Sequence, residues 1–150
     1  MIRKFKTTDS EECAKIINSC HKTMPEFDEA QLSFLLEKYT AEYLAEEYAK
    51  HFVLVYEKDG KILGLGSFIS DESEIRGIYI TPKHQGEGIG GQLIKALESE
   101  AERQNVQKVC VKSYFKPESF YAKNGYKRVE EGEVRRGKVK FQFVKMEKKI

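Results

Sequence analysis

The chain has 150 residues, with 26 Lys and Arg against 24 Asp and Glu and a 40% hydrophobic fraction that includes nine Phe and eight Tyr. That favours one domain burying roughly 70% of its unfolded surface, since two cores from this length would each be small. The formal charge of +2 argues against holding nucleic acid by bulk positive charge. No apolar run approaches the ~20 residues of a membrane span.

Ile2 to Lys6 reads as a short strand. Asp9 is expected to cap a helix running to about Cys20, with Glu12 completing a capping box. Pro25 opens a second helical stretch carrying Leu32, Leu35, Leu36 and Tyr39, and Thr40 caps a third from Ala41 to Lys50. A hairpin follows, His51 to Lys58 and Lys61 to Ser70, turning at Asp59-Gly60. Glu74 to Ile80 is a strand ended by Thr81-Pro82. Gly90 to Arg103 is an amphipathic helix with Leu93, Ile94, Leu97 and Ala101 on one side. Val106 to Lys112 is a strand and Pro117 to Lys123 a short helix stopped by Gly125. Two last strands, Tyr126 to Val134 and Val139 to Glu147, turn at Arg136-Gly137. The order predicts a single α/β (α+β) domain over residues 1–150, with no linker or repeat.

Cys13, Cys20 and Cys110 form an odd set without a CxxC pair, which points away from a disulfide framework or zinc knuckle. Cys13 and Cys20 read as small buried hydrophobes. Met1 to Lys6 is basic without an apolar h-region, so it is not read as a signal peptide, and a reducing cytoplasm is the default compartment. His21 and His51 have no partners at metal-ligand spacing, so no metal is expected.

The segment His84-Gln85-Gly86-Glu87-Gly88-Ile89-Gly90-Gly91 lies between a strand and a long helix. Its glycines let the backbone turn tightly and approach a ligand, and the helix beyond presents unpaired N–H groups at its positive end. Such a site suits phosphate or pyrophosphate. No Lys-Ser/Thr follows, which excludes a triphosphate P-loop. Gly86, Gly88 and Gly91 satisfy GxGxxG, but the loop does not open a βαβ unit, and the next strand ends in Lys112 where an acidic ribose ligand would be needed.

The pattern Gln85-x-x-Gly88-x-Gly90, after a strand ending Ile78-Tyr79-Ile80-x-Pro82, resembles the acyl-CoA signature of the GNAT N-acetyltransferase superfamily. Phe120-Tyr121-Ala122-Lys123-Asn124-Gly125-Tyr126 is similar to its second motif, FYxxxGF, with Tyr in place of the last Phe. The motifs lie in the family's order and at about its separation. The resemblance spans essentially the whole chain and implies a GNAT-like domain: a central mixed, mostly antiparallel sheet of about six to seven strands flanked by helices.

The resemblance implies an N-acetyltransferase using acetyl-CoA as cosubstrate and moving the acetyl group directly to a primary amine of a small molecule, protein or peptide. Amides from Gln85 through Gly86, Glu87, Gly88, Ile89 and Gly90, flanked by Gly91, would bind the pyrophosphate. Main-chain groups along Ile78, Tyr79 and Ile80 would pair with the pantetheine arm, and the Ile78 or Ile80 N–H would polarise the thioester carbonyl. Tyr121 stands at the position of a general acid toward the thiolate, and Glu74, eleven residues before Gln85, at that of a general base. Asp71, Glu72 or a water chain are open alternatives to Glu74. Tyr114 replaces an Asn that contacts the cofactor arm in many members, with Ser113 as a substitute.

The charge is segregated. Glu26 to Ala49 holds seven acids against Lys38, a net of −6, in the region that forms one wall of the family's acceptor cleft. That favours a cationic acceptor unless the run is a solvated helix face. Val134 to Ile150 holds seven Lys and Arg against Glu147, a net of +6, suited to the CoA 3′-phosphate or to protecting an edge strand. A homodimer is compatible with the sequence. A non-catalytic acyl-CoA sensor, or an RNA-associated protein using the basic C-terminal segment, are the rival readings, although nucleic acid is not the expected partner.

Overall fold

The computed structural model describes residues 1–114 and 118–150. Its elements in chain order are β1 (Ile2–Lys4), α1 (Ser10–Lys22), α2 (Glu29–Lys38), α3 (Ala41–Glu47), β2 (Phe52–Lys58), β3 (Lys61–Ile69), β4 (Glu74–Ile80), α4 (Ile89–Arg103), β5 (Lys108–Ser113), α5 (Glu118–Lys123), β6 (Lys127–Arg136) and β7 (Val139–Lys149). The seven strands form one sheet in the order β1-β2-β3-β4-β5-β7-β6. Every pairing is antiparallel except that of β4 with β5. The mixed, mostly antiparallel sheet read from the sequence is therefore present. Pro117, read as the start of the short helix, lies outside the described residues.

Two apolar clusters cover the two faces of the sheet. On one, Leu93, Ile94, Leu97 and Ala101 of α4 pack with Phe68, Ile75, Val109 and Met146. On the other, Cys13, Ile16, Ile17 and Cys20 of α1 pack with Leu44, Val55 and Leu65. Both helices earn their place by the 3.6-residue spacing of their apolar side chains. Cys13 and Cys20 are the small buried hydrophobes expected of them, and all three cysteines are free. The hairpin turns at Asp59 and Gly60, both at positive φ, 52° and 76°.

Several boundaries differ from the sequence reading for physical reasons. Asp9 does not cap α1 with its side chain. Its carboxylate is taken by the Arg3 guanidinium, at 2.8 and 3.0 Å, and by the Lys6 N–H at 2.8 Å. Glu12 does not complete a box either, because it accepts the Ile62 N–H at 2.8 Å. The capping box forms at α2 instead, where Asp28 accepts the Gln31 N–H and Gln31 reaches back to the Asp28 N–H. The second helix therefore starts at Glu29 rather than at Pro25. Thr40 caps α3 as expected, with Oγ1 accepting the Tyr43 N–H at 3.1 Å. The α-helix stops at Glu47, and a single 3-10 turn carries the chain on to Lys50. The basic C-terminal strand β7 lies inside the sheet, between β5 and β6, so most of those cations do not guard an edge.

Strand β4 carries the irregularity that matters most. Gly66 pairs with Ile78 and Phe68 with Ile75, so Arg76 and Gly77 together oppose Ser67 alone. This is a β-bulge, with Gly77 at φ 79°. It resets the alternation of side chains. Ile75, Ile78 and Ile80 all join the α4 face, Tyr79 joins the α1 face, and Arg76 lines a cleft with Tyr39 and Tyr43.

Candidate active site

Although β4 and β5 are neighbours, they pair at two positions only, Glu74 opposite Cys110 and Ile75 opposite Val111. Beyond that point no described strand pairs with the β4 edge, which faces a gap. Its main-chain direction follows from the β3 side. The Thr81 N–H donates to Leu63 O at 2.8 Å. Hydrogen-bonded positions alternate along an antiparallel ladder. Tyr79, opposite Leu65, therefore turns its main-chain groups to β3, whereas Ile78 and Ile80, opposite Gly66 and Gly64, turn theirs into the gap. The Ile80 carbonyl is already engaged by Gln85 Nε2 at 3.2 Å and Cys20 Sγ at 3.1 Å, so Ile80 offers the gap its N–H. Ser113 ends β5, buried, across the gap.

The glycine-rich loop closes one end of this edge. Gly86 and Gly88 have φ of 83° and 86°, which only glycine adopts freely, and a Cβ at either would meet nothing within 4 Å. The backbone is therefore uncovered where a ligand would approach. Gly88 begins α4 without a side-chain cap. The Gln92 N–H, donating to Gly88 O at 3.2 Å, starts the helical ladder. The N–H groups of Ile89, Gly90 and Gly91 come before it and have no helical carbonyl behind them, leaving donors for an anion. These features fit the pyrophosphate of coenzyme A. Gly90 has a packing role as well, since a Cβ there would lie 2.9 Å from the Phe120 ring. Glu87 does not point its charge freely at the loop, because His84 Nδ1 lies 3.1 Å from both its carboxylate oxygens.

Tyr121 is buried between the rings of Phe120 and Tyr126, with centroids at 5.1 and 5.8 Å. Burial pushes its phenol above the ordinary range, and a hydrogen bond from the Ile78 main chain pulls the other way. The phenol thus sits at the gap edge. The charge of the Glu74 carboxylate raises the Tyr121 phenol further. Glu74 itself is 5% exposed. Burial raises its pKa, the Arg76 guanidinium at 3.1 Å opposes that, and Glu72 adds to it. Glu72, in contrast, is exposed and forms an ion pair with Arg76.

Two residues singled out in the sequence lie elsewhere. The Tyr79 side chain packs on the α1 face, its ring 5.6 Å from His21, and its main chain belongs to β3. Tyr114 turns to Phe141, 5.2 Å between centroids, and accepts from Arg136 Nη2 at 3.4 Å. Tyr114 therefore belongs to the α2 side of the sheet. Gly91 stays at the site, in the first turn of α4, where a Cβ would lie 3.8 Å from Asn124 Oδ1. Sequence reading missed Arg76, which touches Glu74 and also lines the tyrosine cleft. The available signal was Gly77 within a strand pattern, which suggests a bulge.

Comparison with known proteins agrees with this geometry. A family model described as an acetyltransferase (GNAT) domain matches residues 16–150. No curated protein matches the chain. Among solved structures, a GCN5-related N-acetyltransferase of Rhodopseudomonas palustris superposes with a TM-score of 0.92 at 20% identity, covering 100% of this chain and 95% of that one. The PaiA N-acetyltransferase of Thermoplasma acidophilum, in complex with coenzyme A, gives 0.82 at 23% identity, with 100% and 98% covered. The putative acetyltransferase YncA of Salmonella typhimurium, with acetyl-CoA, gives 0.70 at 20% identity, with 99% and 92% covered. Since that family model covers most of its length, the chain belongs to the acetyltransferase (GNAT) family.

Proposed function

We propose that this protein moves an acetyl group from acetyl-CoA to a primary amine by direct attack. The observation that carries the reading is the parted edge of β4. Ile78 and Ile80 main-chain groups face the gap, with the uncapped start of α4 at one end and the Tyr121 phenol beside Ile78. Acetyl-CoA supplies the acetyl group already activated as a thioester. The amides of the Gln85–Gly91 loop hold its pyrophosphate, and the Ile78 carbonyl, which faces the gap, holds the arm.

Glu74 takes the proton that the attacking amine must lose, directly or through one water, and its raised pKa brings it closer to the working pH. The Ile80 N–H polarises the acetyl carbonyl, and Tyr121 gives its proton to the departing thiolate. The C–N bond forms as the C–S bond breaks, with one proton taken and one given. Among the described residues no group of His, Cys, Asp and Glu is arranged to hold a metal. Three free thiols fit a reducing cytoplasm. Thiol release from acetyl-CoA, measured against a panel of primary amines, tests the proposal. Amine-dependent release is expected. Absence of release with every amine, together with absence of CoA binding by calorimetry, would overturn it.

A further inference from the structure

The acids between Glu26 and Ala49 largely face solvent: Asp28, Glu29, Glu37, Glu42 and Glu46 are exposed. Glu47 does line the tyrosine cleft, but His51 at 3.1 Å and Lys50 at 3.6 Å engage it. Arg76 joins this cleft to Glu74. It stands two residues after Glu74 on β4, and its guanidinium meets both carboxylate oxygens, Nη2 to Oε1 at 3.1 Å and Nε to Oε2 at 3.4 Å. Nη2 also donates to the Glu72 carboxylate. The backbone beneath Arg76 is fixed by the bulge. Ser67, which alone opposes Arg76 and Gly77, is buried and donates its hydroxyl to the Arg76 carbonyl. Gly77 cannot carry a side chain, since a Cβ there would lie 2.5 Å from the Tyr79 ring. A bulge re-aims a side chain beside a site, and here that side chain is Arg76.

A carboxylate buried as deeply as that of Glu74 protonates unless a cation meets it. Glu72 repels it. The Cys110 thiol, opposite on β5, and the Tyr121 phenol are both raised by burial and stay neutral where a carboxylate titrates. The charges of Lys112, Lys145 and Glu147 act on that thiol. Among the described residues, Arg76 is the cation paired with Glu74. A carboxylate accepts about four hydrogen bonds, so the two from Arg76 leave places for an amine or a water.

We propose that Arg76 is a positioning residue of the acetyl transfer, its two-point grip holding the Glu74 carboxylate ionised and in one orientation. This rests on Glu74 as the base that takes the amine proton. That proton passes from the amine nitrogen to a Glu74 oxygen, while Arg76 keeps its own protons and no bond to it forms or breaks.

The pH dependence of kcat in the thiol-release assay tests this. Arg76→Gln removes the cation, so the acid limb should move up by about one pH unit, which leaves kcat about ten-fold lower at a given pH on that limb. KM for acetyl-CoA should not change. Arg76→Lys keeps a positive charge and should return the limb toward its wild-type position. A merely structural Arg76 would lower turnover alike at every pH. An unmoved limb in Arg76→Gln overturns the inference, and the base reading still stands where Glu74→Gln abolishes that limb. A limb that survives Glu74→Gln overturns both. Should Arg76→Gln not fold, or no amine release thiol, NMR of the wild-type protein decides. The nitrogen-15 signal of Arg76 Nε, identified by its loss in Arg76→Lys, should shift with the same midpoint as the carboxyl carbon of Glu74. Shared titration upholds the grip, and an Arg76 signal indifferent to Glu74 refutes it.

Discussion

The Tyr126 phenol donates to a carboxylate oxygen of the buried Glu98 at 2.7 Å, joining the start of β6 to the middle of α4. Lys148 of β7 reaches the same carboxylate at 3.0 and 3.1 Å. This accounts for a tyrosine where the motif has phenylalanine: the hydroxyl satisfies a carboxylate that α4 buries. Removing only the hydroxyl, in Tyr126→Phe, leaves Glu98 with Lys148 and should cost about 1–2 kcal/mol. Glu98→Ala strands both a buried phenol and a largely covered ammonium and should cost about 3 kcal/mol. Urea unfolding measures both, and a Glu98→Ala loss no larger than that of Tyr126→Phe would show that Lys148 contributes nothing to the network.

Two substitutions at Gly88 separate shape from charge in the loop. The backbone there is at φ 86° with open space around it. Gly88→Ala therefore meets only the conformational penalty, about 1–2 kcal/mol of stability. Gly88→Glu adds a negative charge where the α4 amides await an anion, and CoA binding should be lost. Wild-type CoA affinity in Gly88→Glu, measured by calorimetry, would remove this loop as the pyrophosphate site.

Local chemistry was legible in the sequence, and orientation was not. Asp59-Gly60 turns a hairpin and Thr40 caps a helix because a few neighbouring residues decide such features. The glycine loop was legible for the same reason. Asp9 and Glu12 have the spacing of a capping box, but partners distant in sequence or in another element, Arg3 and Ile62, claim them. The bulge at Gly77 moves Ile78 and Tyr79 each to the opposite face from that given by a period of two. The acids of α2 and α3 outnumber Lys38, yet packing of α2 against the sheet decides that Lys38 turns inward. Arg136 reaches the Tyr114 phenol from the far end of the chain, a meeting that depends on β7 lying between β5 and β6.

Glu72 offers a test of Glu74 that leaves the base itself in place. The Glu72 carboxylate raises the pKa of Glu74, and it also occupies Arg76. In Glu72→Gln both influences relax, so the Glu74 pKa should fall. A base must be deprotonated to act, so the acid limb of the kcat profile should move to lower pH. An acid limb at the wild-type position would show that Glu74 is not the group being titrated.

Tyr121 should divide chemistry from binding. Its phenol lies at the Ile78 main chain, while its ring is held by Phe120 and Tyr126. Tyr121→Phe keeps the ring and removes the proton. Turnover should fall about 10²-fold or more, as for loss of a positioned general acid, with CoA affinity nearly unchanged. Steady-state kinetics beside calorimetry check this, and equal turnover in the two proteins would assign the thiolate proton to water.

His21 gives the fold a pH dependence of known sign. It is 4% exposed, ringed by Phe27, Tyr39 and Tyr79 at 5.9, 5.3 and 5.6 Å, and its Nδ1 has no hydrogen-bond partner among the described residues. Burial, aided by the Lys38 charge, pushes its pKa down to about 4 from 6.5. In the unfolded chain the imidazole takes a proton as pH drops below 6.5, while the folded chain resists until about 4. Stability from keeping His21 neutral is therefore complete above 6.5 and lost on acidification across that window, by about 3 kcal/mol in all. His21→Phe fills the same aromatic cage without a titrating group. Its unfolding free energy should fall less steeply than the wild type's between those pH values, and parallel curves would mean that His21 is protonated within the fold at little cost.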